Sequence, residues 1–260
     1  MTPVPGSACM GAEPAPGVIL VLGPTGIGKT ARSVELSRKY GSPVIALDRI
    51  QCHPQLAVGS GRPTPAETAG TIRIYLDERS LALGILDPGD AVDRLTGEIK
   101  RLRDAGATTL ILEGGSISLL TELARRSDWT ANATVRADVW LEASPRRYRD
   151  QVARRVEQML GYCDHEPRTL LDEVADLVLD PAHLEPLHSI VGYREVLDIS
   201  ARRGMPPTRL QSSSGRMLRM DLFEGVLGAH LDYARQQRHA LQQVLPALTD
   251  LGVRVEVRER

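Results

Sequence analysis

The stretch GVILVLGPTGIGKT, residues 17–30, decides the architecture of this 260-residue chain. GVILVL (17–22) is a continuous apolar run that reads as a buried strand, and the eight residues after it spell G-x-x-x-x-G-K-T. In a strand–loop–helix setting the backbone N–H groups of Gly26, Ile27, Gly28 and Lys29 converge on an anion at a helix start, where the helix dipole also favours negative charge. Lys29 adds a mobile cation, and the Thr30 hydroxyl is placed to bind Mg²⁺. The spacing predicts a polyphosphate ligand with Mg²⁺, and it leaves open whose phosphates these are.

Outward from this loop, apolar runs and helical patterns alternate as β-α units around a parallel sheet. SPVIAL (42–47) is a second strand that ends at Asp48, IRIYL (72–76) a short one, and TTLILEGGS (108–116) another that ends in an acid and two glycines. DAVDRLTGEIKRLRDAG (90–106) has helical periodicity with a glycine stop, and ADVWLEA (137–143) supplies the fourth core strand. From Pro145 onward the pattern is helical, opened by Ser144 and Pro145 as cap and first-turn residues. VRVEV near the C-terminus alternates like an edge strand. The expected organisation is a disordered tail over 1–16, a P-loop nucleotide-fold core over 17–145 and a mainly helical part over 146–260 that completes the site.

Composition narrows the function classes. A formal charge of −1 provides no global basic field of the kind that drives non-specific binding to nucleic acid. Cys9, Cys52 and Cys163 are odd in number, widely spaced and without a C-x-x-C, which argues against a disulfide framework or zinc and fits a reducing cytoplasm. No segment approaches 18 consecutive apolar residues, so no membrane span is expected.

Three further features carry chemistry. Asp48 reaches the carboxyl edge of the sheet, where α/β proteins bind ligands, and a carboxylate there is either a general base or a turn cap. Gln51, one turn on, can orient Asp48 or a base ring. Glu113 follows a buried strand like the acid that supports Mg²⁺ in many such folds, Gly114 and Gly115 permit close backbone approach, and Ser116 either caps the next helix or meets a ligand. PRRYRDQVARRV (145–156) carries five arginines on one helix; Arg147, Arg154 and Arg155 cannot all face one way, so one or two at most point at phosphates. A small-molecule kinase and a transferase with a diphosphate leaving group need the same parts, because both accumulate negative charge on the departing oxygen.

GPTGIGKT, PVIALDRIQCHPQLAVGSGRP, IRIYLDERSLALGILD and LILEGGSISLL, in this order, resemble bacterial adenylate isopentenyltransferases, which make cytokinin precursors. The resemblance is dense from about Gly17 to Leu120. The related tRNA dimethylallyltransferases share the loop, the strand-end Asp, the G-G-[ST] turn and two later motifs, present here as RVEQM (155–159) and GYRE (192–195). The resemblance implies transfer of a dimethylallyl group from its diphosphate to the N6 amine of AMP, in a cytoplasmic and monomeric enzyme using Mg²⁺. It implies Asp48 as acceptor of the N6 proton and Thr25 as a contact of the amine or bridging oxygen. Lys29, Thr30 through Mg²⁺, and Arg155 would hold the diphosphate; Ser60 and Arg62 would sit on the acceptor nucleotide, together with Gln51, Gly115 and Ser116.

Relatives acting on tRNA carry a longer insertion between the G-G-[ST] turn and the R-[IV]-x-x-M helix. About forty residues separate Gly115 from Arg155 here, which with the near-neutral charge favours a free nucleotide over tRNA. The resemblance implies AMP as that nucleotide and leaves ADP and ATP open. Val191 stands where relatives adapted to a hydroxylated prenyl donor carry an Asp, and His230 and Tyr233 stand where those relatives have a Tyr and a His. A hydroxyl left unpaired against Val191 costs roughly 1 to 3 kcal/mol, so dimethylallyl diphosphate is the expected donor.

Overall fold

The computed structural model describes residues 17–131, 133–163, 168–210 and 215–259, and the tail expected over 1–16 lies outside them. Six parallel strands form one sheet in the order β3-β2-β4-β1-β5-β6. They are β1 (Val18–Leu22), β2 (Val44–Leu47), β3 (Arg73–Tyr75), β4 (Leu110–Gly114), β5 (Val135–Leu141) and β6 (Arg254–Glu259). β1, β2 and β4 are buried at every position, as continuous apolar runs require when helices cover both faces of a parallel sheet. Every strand expected from the sequence is present, with bounds shifted by at most two residues.

Between the strands run α1 (Lys29–Tyr40), the short α2 (Pro65–Thr68), α3 (Pro88–Asp104) and α4 (Ile117–Leu123). Local chemistry sets their ends. Gly28 and Gly41 flank α1 in left-handed conformations; Asp87 caps α3 by accepting from Gly89 N at 2.7 Å, with Pro88 in the first turn. Helices α5 (Pro145–Met159), α6 (Leu170–Leu177), α7 (Leu184–Ser189), α8 (Tyr193–Arg203) and the 35-residue α9 (Arg216–Asp250) follow. Ser144 and Pro145 open α5 as their types predict, with the Ser144 hydroxyl accepting from Arg147 N at 3.5 Å.

The helical part has its own core, where Val156, Leu170, Val174, Leu187, Tyr193 and Val226 are buried together. Its boundary with the sheet differs from the one the sequence suggested. The distal half of α9 places Leu241, Val244 and Leu248 in the core beneath the sheet, and β6 then pairs in parallel with β5 from Arg136↔Arg254 onward. The chain after residue 145 therefore leaves the core, builds the helical layer and returns. Parallel pairing needs such a long crossover, which alternation within VRVEV does not reveal.

At the carboxyl edge the backbones pack closely enough to demand glycine. A Cβ on Gly114 would collide with the Leu47 carbonyl, and one on Gly23 would lie 2.5 Å from the Trp140 carbonyl. Gly114→Ala is expected to destabilise the fold by about 1–3 kcal/mol, as overpacking against rigid backbone does. Urea denaturation followed by circular dichroism measures this, and an unchanged midpoint contradicts the close packing.

Candidate active site

A cavity of about 950 Å³ opens over this edge, at the upper end of the range for small-molecule sites, roughly 300–1,000 Å³. Its floor is the β1–α1 loop. Gly26 and Gly28 hold φ of 75° and 93°, which only glycine adopts readily, and a Cβ on Gly26 would lie 3.1 Å from Val152. Gly26, Gly28, Lys29 and Thr30 line the cavity. Ile27 does not: its side chain is buried with Tyr148 and Val152 in the helical core, and its N–H points back to the Pro24 carbonyl at 3.5 Å. Its apolar side chain anchors the loop from behind.

Lys29 Nζ donates to the Pro24 carbonyl at 2.8 Å. Burial pulls the ammonium below its ordinary pKa, opposed by the nearby charges of Glu113 and Asp48. Asp48 has the turn-capping role that its position suggested, and it also lines the cavity. Oδ1 accepts from Ile50 N at 2.9 Å and Gln51 N at 3.4 Å, which caps the turn and fixes the carboxylate. Among the described residues Oδ2 has no hydrogen-bond partner, and Asp48 lines the cavity. Burial raises its pKa above the usual carboxylate value, with the Ile50 and Gln51 N–H groups, Lys29 and Arg73 acting in the opposite direction.

The acceptor-side residues divide. Gln51, Ser60, Gly115 and Ser116 line the cavity. The Ser60 hydroxyl is buried without a partner, and Ser116 occupies the cap position of α4 without a side-chain cap bond. Arg62 is turned away. It donates through Nε to the Gln51 carbonyl at 2.7 Å and stacks 3.9 Å from the Tyr75 ring centroid, so its guanidinium braces the loop and does not line the cavity. Of the α5 arginines, Arg154 and Arg155 line the mouth and Arg147 does not; Arg155 faces Glu67 of α2 at 3.5 Å.

Two residues missed in the sequence organise this edge. Arg73 of β3 donates to Glu113 Oε2 at 2.6 Å and reaches Gln51 Oε1 at 3.4 Å, placing a cation in the wall. Glu113, which also accepts from Ser33 at 3.2 Å, is thereby paired with Arg73. Gln237 of α9, 5% exposed, accepts from Thr25 N at 2.8 Å and donates to the Gly115 carbonyl at 2.7 Å. One amide thus ties the phosphate loop to the β4 exit. A lone arginine in a strand and one glutamine among several in a long helix give no local signal of such roles.

Val191, His230 and Tyr233, assigned to the prenyl end from the sequence, all line the same cavity. Burial lowers His230 to about 4 and raises Tyr233 to about 12, so both are neutral near pH 7. His230 Nε2 is buried without a partner, which leaves one polar atom in a wall that Val191 makes apolar.

Fold and cavity define a P-loop α/β protein in which the glycine loop, a strand-end carboxylate and the side chains of Gln51, Ser60 and Ser116 line one cavity. The isopentenyl transferase family model matches residues 16–250, and the chain belongs to that family. It is 36% identical to an adenylate dimethylallyltransferase of Agrobacterium fabrum over 89% of this chain and 94% of that protein. An adenylate dimethylallyltransferase of Agrobacterium vitis is also 36% identical, over 88% and 93%. Among solved structures, the tRNA delta(2)-isopentenylpyrophosphate transferase of Staphylococcus epidermidis superposes with a TM-score of 0.66 at 16% identity, covering 94% of this chain and 93% of that one. The tRNA isopentenylpyrophosphate transferase of Bacillus halodurans gives 0.60 at 15%, over 93% and 90%. These two share the fold. No helix among the described residues is long and apolar enough to cross a membrane.

The buried imidazole has a measurable consequence. The folded-state pKa of His230 lies below the ordinary 6.5, so the unfolded chain binds more protons between about 6.5 and 4, and stability falls as pH drops through that window. His230→Leu is expected to remove up to about 3 kcal/mol of this acid sensitivity. Urea midpoints measured from pH 7 to pH 4 test it, and identical pH slopes in the two proteins contradict it.

Proposed function

We propose that the protein transfers a dimethylallyl group from dimethylallyl diphosphate to the N6 amine of AMP, releasing diphosphate. The observation that carries this reading is that Asp48 lines the same cavity as Gly26, Gly28, Lys29 and Thr30 of the phosphate loop, so a candidate base and a leaving-group site share one volume. Family membership and relatives bearing the name adenylate dimethylallyltransferase support it.

In the proposed reaction the diphosphate lies on the N–H groups of Gly26 and Gly28, with Lys29 leaving the Pro24 carbonyl to meet it and Arg154 and Arg155 closing over it from α5. The adenine lies toward Gln51, Gly115 and Ser116, with the Ser60 hydroxyl as a contact. The N6 lone pair attacks C1 of the prenyl group, the N–C bond forms, and the C1–O bond breaks with its electron pair going to diphosphate. Asp48 accepts the N6 proton, and Thr25 contacts the amine or the bridging oxygen. An aryl amine is a weak nucleophile, so removing its proton as the bond forms lowers the barrier, and cations around the leaving group do the same.

Mg²⁺ fits the residues present. The described residues contain no cluster of three or more metal-binding side chains, and Mg²⁺ needs none, because it retains waters and is held by substrate phosphates plus one or two protein oxygens. The Thr30 hydroxyl at the start of α1 supplies such an oxygen, and the ion would neutralise leaving-group charge there. Glu113 is committed to Arg73 and acts through that pair.

Incubation with Mg²⁺, dimethylallyl diphosphate and AMP is expected to give prenylated AMP by mass. A product formed only with tRNA, or ATP consumption with neither, overturns the assignment. Asp48→Asn is expected to lose about 10²–10⁴ in turnover while still binding the diphosphate, the usual range for a general base. In the wild type kcat/KM should fall as pH drops through a pKa above the ordinary carboxylate value, because burial raises Asp48, and this limb should vanish in Asp48→Asn. Near-normal turnover in that variant refutes the base role. Val191 favours the dimethylallyl donor over its hydroxylated analogue; with His230 Nε2 as one partner for a hydroxyl, the preference is set at about fivefold, or ~1 kcal/mol. Equal kcat/KM for the two donors contradicts it.

A further inference from the structure

The GYRE stretch has no part in the transfer as described, and its tyrosine points away from the cavity into the helical core. Tyr193 is fully buried, and its hydroxyl donates to Glu173 Oε2 at 2.5 Å. Glu173, on α6 and 1% exposed, also accepts from two successive backbone N–H groups, Val58 N at 2.8 Å and Gly59 N at 3.0 Å. Neither residue lines the cavity.

The loop they hold does. Gly59 and Ser60 are both in the cavity wall, and Ser60 is the residue whose buried hydroxyl lacks a partner. Tyr193 shapes this loop a second time, because a Cβ on Gly59 would overlap the phenol ring. A buried carboxylate is poor material for stability alone, since apolar replacements of such groups are often neutral or better. What three convergent donors to one carboxylate provide is a fixed position for the backbone that donates two of them. We infer that Glu173 and Tyr193 are a positioning pair: they fix the 58–59 backbone and thereby aim Ser60 at the acceptor nucleotide. Through them the helical part sets acceptor binding while the phosphate loop grips the donor separately. The aim at the acceptor rests on the transfer reading given above.

Tyr193→Phe keeps the ring against Gly59 and removes only the hydroxyl, so it is the variant expected to fold; Glu173→Gln replaces one acceptor oxygen with a donor facing an N–H. Two readouts separate the claims. Amide hydrogen exchange at Val58 and Gly59 should accelerate in both variants while Gly26–Lys29 stays unchanged, and unchanged exchange at 58–59 overturns the anchor. The KM for AMP should rise about tenfold with the KM for dimethylallyl diphosphate within twofold. A parallel rise in both, or a lowered Tm with both unchanged, assigns the pair a structural role only and overturns the positioning claim. If the wild type does not prenylate AMP, the transfer reading and the acceptor aim fail together, and the exchange data alone decide whether the pair holds the loop.

Discussion

The contact on which this structure depends is the approach of two backbones at the carboxyl edge of the sheet. A Cβ on Gly115 would lie 2.5 Å from the Gly23 carbonyl and 2.8 Å from Gln237 Nε2, so the phosphate loop and the β4 exit meet with no room for a side chain. Gln237 then bonds to both, taking the Thr25 N–H and giving its own N–H to Gly115. In an interior of low dielectric, an amide satisfied at both ends fixes the separation of the two loops. In the proposed transfer this separation would keep leaving group and nucleophile within reacting distance, where effective concentration contributes much of the rate.

The helices after residue 145 are the second half of the same device. α5 brings arginines to the mouth and sends the Tyr148 hydroxyl to the Thr25 carbonyl at 2.5 Å. α6 and α8 hold the 58–59 backbone through Glu173 and Tyr193, and α9 crosses beneath the sheet before β6 closes its edge. The sheet carries the loops, and the helical layer fixes their relative positions.

Local features were legible in the sequence because they depend on local chemistry. The glycine loop needs positive φ, Asp48 ends an apolar strand, and Ser144–Pro145 starts a helix, so each announces itself within a few residues. The resemblance singled out Ser60 for the acceptor and Val191, His230 and Tyr233 for the prenyl end, and all four line the cavity. Side-chain direction was not legible. Ile27 and Arg62 sit in motifs but turn away, one because apolar surface seeks the core, the other because the Gln51 carbonyl and Tyr75 ring satisfy its guanidinium. Arg73, Glu173 and Gln237 act through partners 40, 115 and 212 residues away, and no window of sequence contains both ends of such a bond.

The central claim is that the phosphate loop grips a diphosphate leaving from carbon, with no phosphoryl group transferred. Dimethylallyl diphosphate labelled with ¹⁸O at the oxygen bridging C1 and phosphorus, turned over with AMP and analysed by mass, tests this most directly. C–O cleavage predicts that all of the label appears in released diphosphate with prenylated AMP as co-product. Label retained in dimethylallyl alcohol, or a phosphorylated acceptor without a prenyl group, would contradict the account.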